Sequence, residues 1–376
     1  MKKIIYRKLA LDCTKFFVLV LFSISIIIWV LQAVNFLDFV TEDGHGFLVY
    51  FNYTILSFPK IVGRIYPFAI FLSFTYILLK YENKNELVIF WNFGIKKIKF
   101  INFFIKLSFL FVLINLLINA FISPYTQDKA RSYIRLSDLD FFTSILKPKT
   151  FVDTIKGLTI YFDEIGDNGE LKNIYLNNSL SNTSQITFAK TGKVEKYGDK
   201  KILVLREGRT INEINENISE FKFTKSDFNI SRFSTKTTTS KKIKETSTKK
   251  LIKCLYTFHK EIINSISFSE IDLASNCGSS NLINIYQELY SRLIKPFYIT
   301  FLITISLLLI LKSRNDHSFN INKIKIFFLG FFAIIFLELS SKFITTNLIQ
   351  NLFLITLPVL SVFIMYIFFL KILKTN

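Results

Sequence analysis

Six apolar stretches, three before and three after a long polar stretch, constrain this chain more than any other feature. They are Phe16–Leu37, Ile61–Leu79, Phe103–Ile122, Leu293–Leu311, Ile326–Ile344 and Leu352–Leu370. Each is near the roughly 20 residues that carry an α-helix across about 30 Å of hydrocarbon. Between the third and fourth lies Ser123–Arg292, polar, rich in Thr, Asn and Lys, and too large to be a loop. A membrane chain that places this much of itself outside the bilayer is expected to handle something there.

Charge fixes the expected orientation, because short cytoplasmic loops carry an excess of Lys and Arg. Lys2, Lys3, Arg7 and Lys8 precede the first stretch, and Lys80, Lys84, Lys96, Lys97 and Lys99 lie between the second and third. Lys312, Arg314, Lys323 and Lys325 separate the fourth and fifth, and Lys371 and Lys374 follow the sixth. Asp38–Phe47, on the opposite side, holds Asp38, Glu42 and Asp43 and no Lys or Arg. Both termini are therefore expected in the cytoplasm and the polar block outside. The net charge of +19 follows largely from this arrangement: Pro124–Tyr290 has 25 basic and 20 acidic residues, so most of the excess sits in and around the spans. Nucleic-acid binding is not required to explain it. The first apolar run exceeds the 7–15 residues of a signal-peptide core and reads as an uncleaved span. Cys13, Cys254 and Cys277 have no metal or redox spacing. Cys254 and Cys277 share the outer block and could bridge, although free thiols are the preferred reading.

The polar block divides in two. Alternating segments at Leu158–Asp163, Leu171–Leu176, Gln185–Val194, Lys201–Leu205, Arg209–Ile214, Ser219–Phe223 and Phe228–Arg232 predict short strands with turns every eight to twelve positions, a sandwich or jelly roll. Ser234–Lys250 has almost no apolar residue and reads as a flexible connector. Leu282, Ile285, Leu289 and Leu293 then recur at helical spacing and run into the fourth span. The predicted fold is an α-helical membrane protein with six transmembrane helices, 3+3, and an inserted all-β domain. Its parts are a membrane half over 1–123, the β domain over 124–280 with the connector at 234–250, and a second membrane half over 281–376. Phe47–Phe58, ahead of Pro59, is expected to lie tilted at the outer interface.

Few residues carry chemistry. Lys60 and Arg64 share one helix face near the outer end of the second span. They either snorkel to headgroup level or form a cationic rim for an anionic lipid, whose phosphate suits an Arg fork and a Lys point charge. Glu338 and Lys342, in the fifth span, are spaced for an i,i+4 ion pair, structural or lining an aqueous cavity. In the cytoplasmic segment Tyr81–Phe100, Asn85 is placed to cap a short helix and Glu86 to favour its first turn. Leu87, Ile89, Phe90 and Phe93 supply apolar surface and Gly94 the stop. This helix reads either as a knob for a partner's groove or as an interfacial helix lying on the membrane. No GxxxxGK[ST], HExxH or GxSxG occurs, and His45, His259 and His317 are scattered. No catalytic residue, metal site or cofactor is expected.

The arrangement resembles the LptF/LptG (YjgP/YjgQ) permease family of lipopolysaccharide export. Asn85-Glu-Leu-Val-Ile-Phe-Trp-Asn-Phe-Gly94 is similar to the family's coupling segment, with Glu86 in the acidic position. Phe90, Trp91 and Asn92 depart from its usual small or basic residues. Glu288-Leu-Tyr-Ser-Arg292…Pro296 is similar to the family's entry to the fourth span. Trp29–Asp38 looks more like the LptF branch. The resemblance implies an inner-membrane, multi-pass subunit of an ABC transporter with a periplasmic jelly roll and a coupling helix at about 82–94. It implies no ATP site on this chain and hydrolysis in a separate subunit. The implied partners are an LptG-like permease, a cytoplasmic LptB-like ATPase dimer, a periplasmic LptC/LptA-like bridge and lipopolysaccharide. The alternatives are an LptG-type subunit, a permease for another envelope lipid, or a membrane-anchored sensor or scaffold. A sensor would normally carry a cytoplasmic output domain, which no segment here is long enough to form. An envelope-modifying enzyme is disfavoured by the lack of a catalytic constellation.

Overall fold

In the computed structural model, the described residues are 2–37, 47–137, 148–155, 158–166, 169–180, 183–197, 200–214, 217–229, 242–264, 277, 281–314, 316–346 and 348–375. The helices are α1 (Lys2–Asn35), α2 (Phe47–Asn83), α3 (Glu86–Asn92), α4 (Lys97–Leu117), α5 (Ser123–Ser137), α6 (Thr248–Asn264), α7 (Leu282–Leu293), α8 (Tyr298–Leu307), α9 (Phe319–Ser340) and α10 (Leu348–Thr375). Among the described residues six helical segments are long and apolar enough to cross a membrane, as the sequence predicts. The chain divides into two compact units. One comprises Met1–Gln32, Thr54–Ala130 and Ser240–Asn376, the other Ala33–Tyr53 and Arg131–Thr239.

Two spans run longer than their apolar runs. Phe47–Phe58 is continuous with the second span as α2, through both Pro59 and Pro67. A proline removes one backbone bond, and the remaining intrahelical bonds hold the helix on either side. The third span, α4, passes through a π-helical turn at Ile118–Ile122 into α5. The cause is local: Pro124 has no N–H to return to the Ala120 carbonyl, and a π turn accommodates such a gap.

Small and hydroxyl side chains join the spans, as expected where lipid removes the hydrophobic drive between helices. Thr75 and Ser306 Oγ atoms lie 2.9 Å apart, and Ser108 Oγ donates to Thr300 Oγ1 at 3.0 Å. Gly330 in α9 lets the ring of Phe71 in α2 lie where a Cβ would otherwise be. A buried aromatic cluster, Phe90, Phe100 and Phe104, with half-buried Tyr6 packed on it, closes one end of the unit.

The β strands are β1 (Val152–Ile155), β2 (Leu158–Tyr161), β3 (Glu164–Ile165), β4 (Glu170–Leu180), β5 (Thr183–Tyr197), β6 (Lys200–Ile214) and β7 (Asn217–Asn229). Among the described residues they form one open antiparallel meander, β1-β2-β4-β5-β6-β7, with β3 also on β4. The sandwich or jelly roll predicted from the sequence would need strands shared between two packed sheets. Here consecutive hairpins keep every described strand in one sheet.

The strands are also longer than predicted, because a crease imitates turns. At the rung Asn173–Lys190–Glu207–Thr224 the inward alternation slips by one residue on each of four strands. Leu171 and Ile174, Ala189 and Gly192, and Leu205 and Gly208 all face the same side. Asn173 (φ 53°) and Glu207 (φ 48°) adopt left-handed conformations there. Because every strand slips at the same level, the pairing register continues unchanged across it. A core of Leu158, Ile160, Phe162, Leu176 and Leu203 with these residues lines the inward face.

Candidate functional site

The second span presents a polar cluster at each end. At 1.5 Å per residue, Lys60 and Arg64 lie about 35 and 29 Å along α2 from Asn83, a full bilayer thickness away. Both are exposed. Lys60 interacts electrostatically with Arg64, Lys244, Glu245 and Glu288. Among the described residues neither Lys60 nor Arg64 has an ion-pair partner. The sequence pair is thus joined by a third cation, Lys244, from the connector, which no spacing rule could have brought to it.

Beside this rim lies a buried latch. Arg292 is almost fully enclosed, and every side-chain nitrogen donates. Nε bonds Glu288 Oε1 at 2.8 Å, one terminal nitrogen bonds the Thr246 carbonyl (2.8 Å) and Thr248 Oγ1 (3.1 Å), and the other bonds the Lys244 carbonyl (2.9 Å). Thr248 Oγ1 in turn donates to the carbonyl of Ala120, the group that Pro124 cannot serve. The Glu288…Arg292…Pro296 motif therefore ties the start of α6 and the entry to the fourth span to the end of the third. Below it, Leu251 and Cys254 of α6 pack on Ile285 and Leu289 of α7. Cys254 and Cys277 form a disulfide, which corrects the expectation of free thiols. Their distance in sequence concealed that α6 brings the two Cα atoms to 5.8 Å, within bridging range.

At the opposite end, the predicted cap is absent. Asn85 is a left-handed turn residue (φ 58°) whose side chain makes no capping bond; it turns the chain between α2 and α3. Gly94, at φ +67°, ends the turn after α3 as predicted. Leu87 and Phe90 are buried, Phe90 packing edge-on against Phe100 at 5.3 Å. They anchor the helix and do not form its outer surface. That surface is Val88, Ile89 and Phe93, all exposed, beside half-buried Glu86. The sequence reading grouped both faces because a helix this short shows no clear periodicity. The buried Glu82 carboxylate accepts the Arg314 backbone N–H at 2.8 Å, and the Arg314 guanidinium bonds the Asn83 carbonyl. The loop after the fourth span is thereby pinned next to α3.

Glu338 is paired, but with Lys295 at 3.0 Å and not with Lys342. The helix tightens to a 3-10 turn at Ser341–Phe343, and this removes the i,i+4 stacking on which the expected pair depended. On the sheet, the amide of Asn173 and the phenol of Tyr161 each donate to the Asp163 carboxylate at 2.8 Å. These bonds hold the Asp163 pKa below the ordinary aspartate range and push that of Tyr161 up. At the crease, Lys190 bonds Glu207 at 2.8 Å.

Comparison with known proteins agrees with this architecture. The sequence profile of the family described as "Lipopolysaccharide export system permease LptF/LptG" matches residues 7–372. A Rickettsia prowazekii (strain Madrid E) protein described as "Uncharacterized protein RP871" is 22% identical over 224 residues, covering 58% of this chain and 62% of that protein. Six spans, a β insertion between the third and fourth, and a match over nearly the whole sequence converge: the chain belongs to the LptF/LptG family of lipopolysaccharide export permeases.

Proposed function

We propose that this chain is the LptF-type permease subunit of an ABC exporter that lifts lipopolysaccharide from the inner membrane toward a periplasmic bridge. Both termini lie in the cytoplasm and the β unit in the periplasm, in keeping with the Lys and Arg of the short loops and with a disulfide suited to an oxidising compartment. An LptG-like chain supplies the other half of a cavity open to the outer leaflet, and an LptB-like ATPase dimer docks on the cytoplasmic face. An LptC/LptA-like bridge receives the lipid.

The observation that carries this reading is α3, a short helix anchored by Leu87 and Phe90 that leaves Val88, Ile89 and Phe93 free. An apolar face on a rigid mount fits a groove on a moving partner. ATP-driven movement of α3 narrows the cavity, and the lipid leaves toward the apolar face of the β sheet. Lys60, Arg64 and Lys244 meet the lipid phosphates at the rim, where guanidinium and ammonium are suited to phosphate oxygens.

Affinity purification of the intact chain from native membranes tests the reading. The chain should bring an ATPase with it, and Glu86→Lys or Ile89→Asp should reduce that recovery and the ATPase activity. Unchanged recovery and activity in both variants would refute the role of α3. Lys60→Glu with Arg64→Glu should reduce stimulation of the ATPase by lipopolysaccharide; wild-type stimulation would remove the rim from the path.

A further inference from the structure

A second lipid site is carried by a groove of about 460 Å³ between α4, the start of the fourth span and α10. Its walls are apolar, Phe109, Val362 and Phe363 among them. Four polar side chains interrupt them: Asn102 and Lys106, one turn apart on α4, Thr300 on α8, and Tyr366 across the groove on α10. Thr300 Oγ1 accepts from Ser108; among the described residues Asn102, Lys106 and Tyr366 make no side-chain hydrogen bond or ion pair. Lys106 stands nine residues, about 14 Å, inside the start of α4. Tyr366 stands nine residues inside the end of α10. Six spans put the start of the third and the end of the sixth on one membrane face, so the two groups share a depth.

An ionisable side chain at this depth is costly unless it has a partner. A lysine on a smooth helix face would meet that need by snorkelling. Here the ammonium, an amide and a phenol converge on one apolar slot from two helices. We infer that the groove binds an anionic glycerophospholipid: its phosphate takes hydrogen bonds from Lys106, Asn102 and Tyr366, and an acyl chain lies along Phe109, Val362 and Phe363. Basic pockets between spans recognise anionic headgroups in this way, and the volume is that of a small-ligand site. A zwitterionic lipid offers the same phosphate but carries its own cation, which the unpaired charge of Lys106 disfavours. Lipopolysaccharide also carries lipid phosphate. The export path proposed above opens to the opposite leaflet, so the source assigned here is bulk membrane lipid. That choice of source rests on the proposed orientation; the binding itself does not.

The test uses the full chain, with whatever subunits accompany it, purified from membranes and exchanged into nanodiscs of phosphatidylglycerol, phosphatidylcholine or a mixture of both. Lipid retained after detergent washing is quantified by mass spectrometry. A charge-assisted hydrogen bond corresponds to about tenfold in affinity, so Lys106→Met should lower phosphatidylglycerol retention about tenfold. Lys106→Arg should preserve it, and phosphatidylcholine retention should be the same in all three proteins. Val362→Trp, which fills the slot and leaves Lys106 in place, should lower phosphatidylglycerol retention too. Equal retention in wild type and Lys106→Met, or full retention in Val362→Trp, would overturn the site. Lipopolysaccharide that displaces phosphatidylglycerol from wild type but not from Lys106→Met would overturn the assignment to bulk lipid. Subunit recovery is measured on the same samples, so loss of the transport assembly registers separately from loss of lipid.

Discussion

Two ion pairs of the same length behave as opposites in this molecule. Arg292–Glu288 and Lys190–Glu207 each span 2.8 Å. The first has side chains 3% and 19% exposed, the second 75% and 66%. Around Arg292, two backbone carbonyls and a threonine hydroxyl complete the shell, so the charge is buried with its donors in use. Around Lys190, water serves the same purpose and screens the attraction. Distance alone therefore says little about what a pair contributes; the surroundings decide it. The buried pair is a joint between helices, and the exposed one accompanies a crease already imposed by the backbone.

The largest test of that contrast is Arg292→Ala, which strands the Glu288 carboxylate and the Lys244 and Thr246 carbonyls. It should lower stability by about 3 kcal/mol, read as a fall in the thermal unfolding midpoint in detergent. Adding Glu288→Gln should recover part of the loss, since the stranded charge is then gone. A single variant that melts like wild type would erase the distinction between the two pairs. Thr248→Val keeps the shape but removes the hydroxyl between Arg292 and Ala120; a cost of about 1–3 kcal/mol is expected, visible in the same melt. Lys190→Met and Glu207→Gln should leave the midpoint unchanged at any salt concentration. A clear shift would mean that the crease depends on the pair. An effect smaller than those at Arg292 and Thr248 concerns Asp163. Its folded pKa is depressed, so it contributes stability above the ordinary aspartate range and loses it as pH falls through the lowered value. The difference between wild type and Asp163→Asn, followed by acid titration of unfolding, should be present at neutral pH and vanish at the acid end. A difference that persists there would assign the effect to packing.

The spans were legible because length and hydropathy suffice to specify them. The β insertion was legible in kind but not in form. Leu171 to Ile174 and Leu205 to Gly208 break a period of two, and Glu207-Gly208 looks like a turn. Only the neighbouring strands, each slipping at the same rung, make the break a fold inside continuous strands. Among the proposed site residues, Lys60, Arg64 and Glu86 stand out by charge and position. Val88 was missed on a helix too short to show its faces. Arg292 was noticed in a motif without a role, because its carbonyl partners lie more than forty residues away in sequence. Lys106 was hidden within an apolar run and emerged only when α10 placed Tyr366 opposite it.

The repair of the Pro124 gap also dictates an order of biogenesis. The hydroxyl that serves Ala120 comes from a residue 128 positions downstream, beyond every described β strand, and Arg292, which holds that hydroxyl, is translated later still. As the nascent chain enters the bilayer, the third span is inserted long before its last joint can close. The N-terminal half therefore matures only after the β insertion has been made and the fourth span has arrived, so a break in translation anywhere between would leave a membrane stub with an unfinished seam.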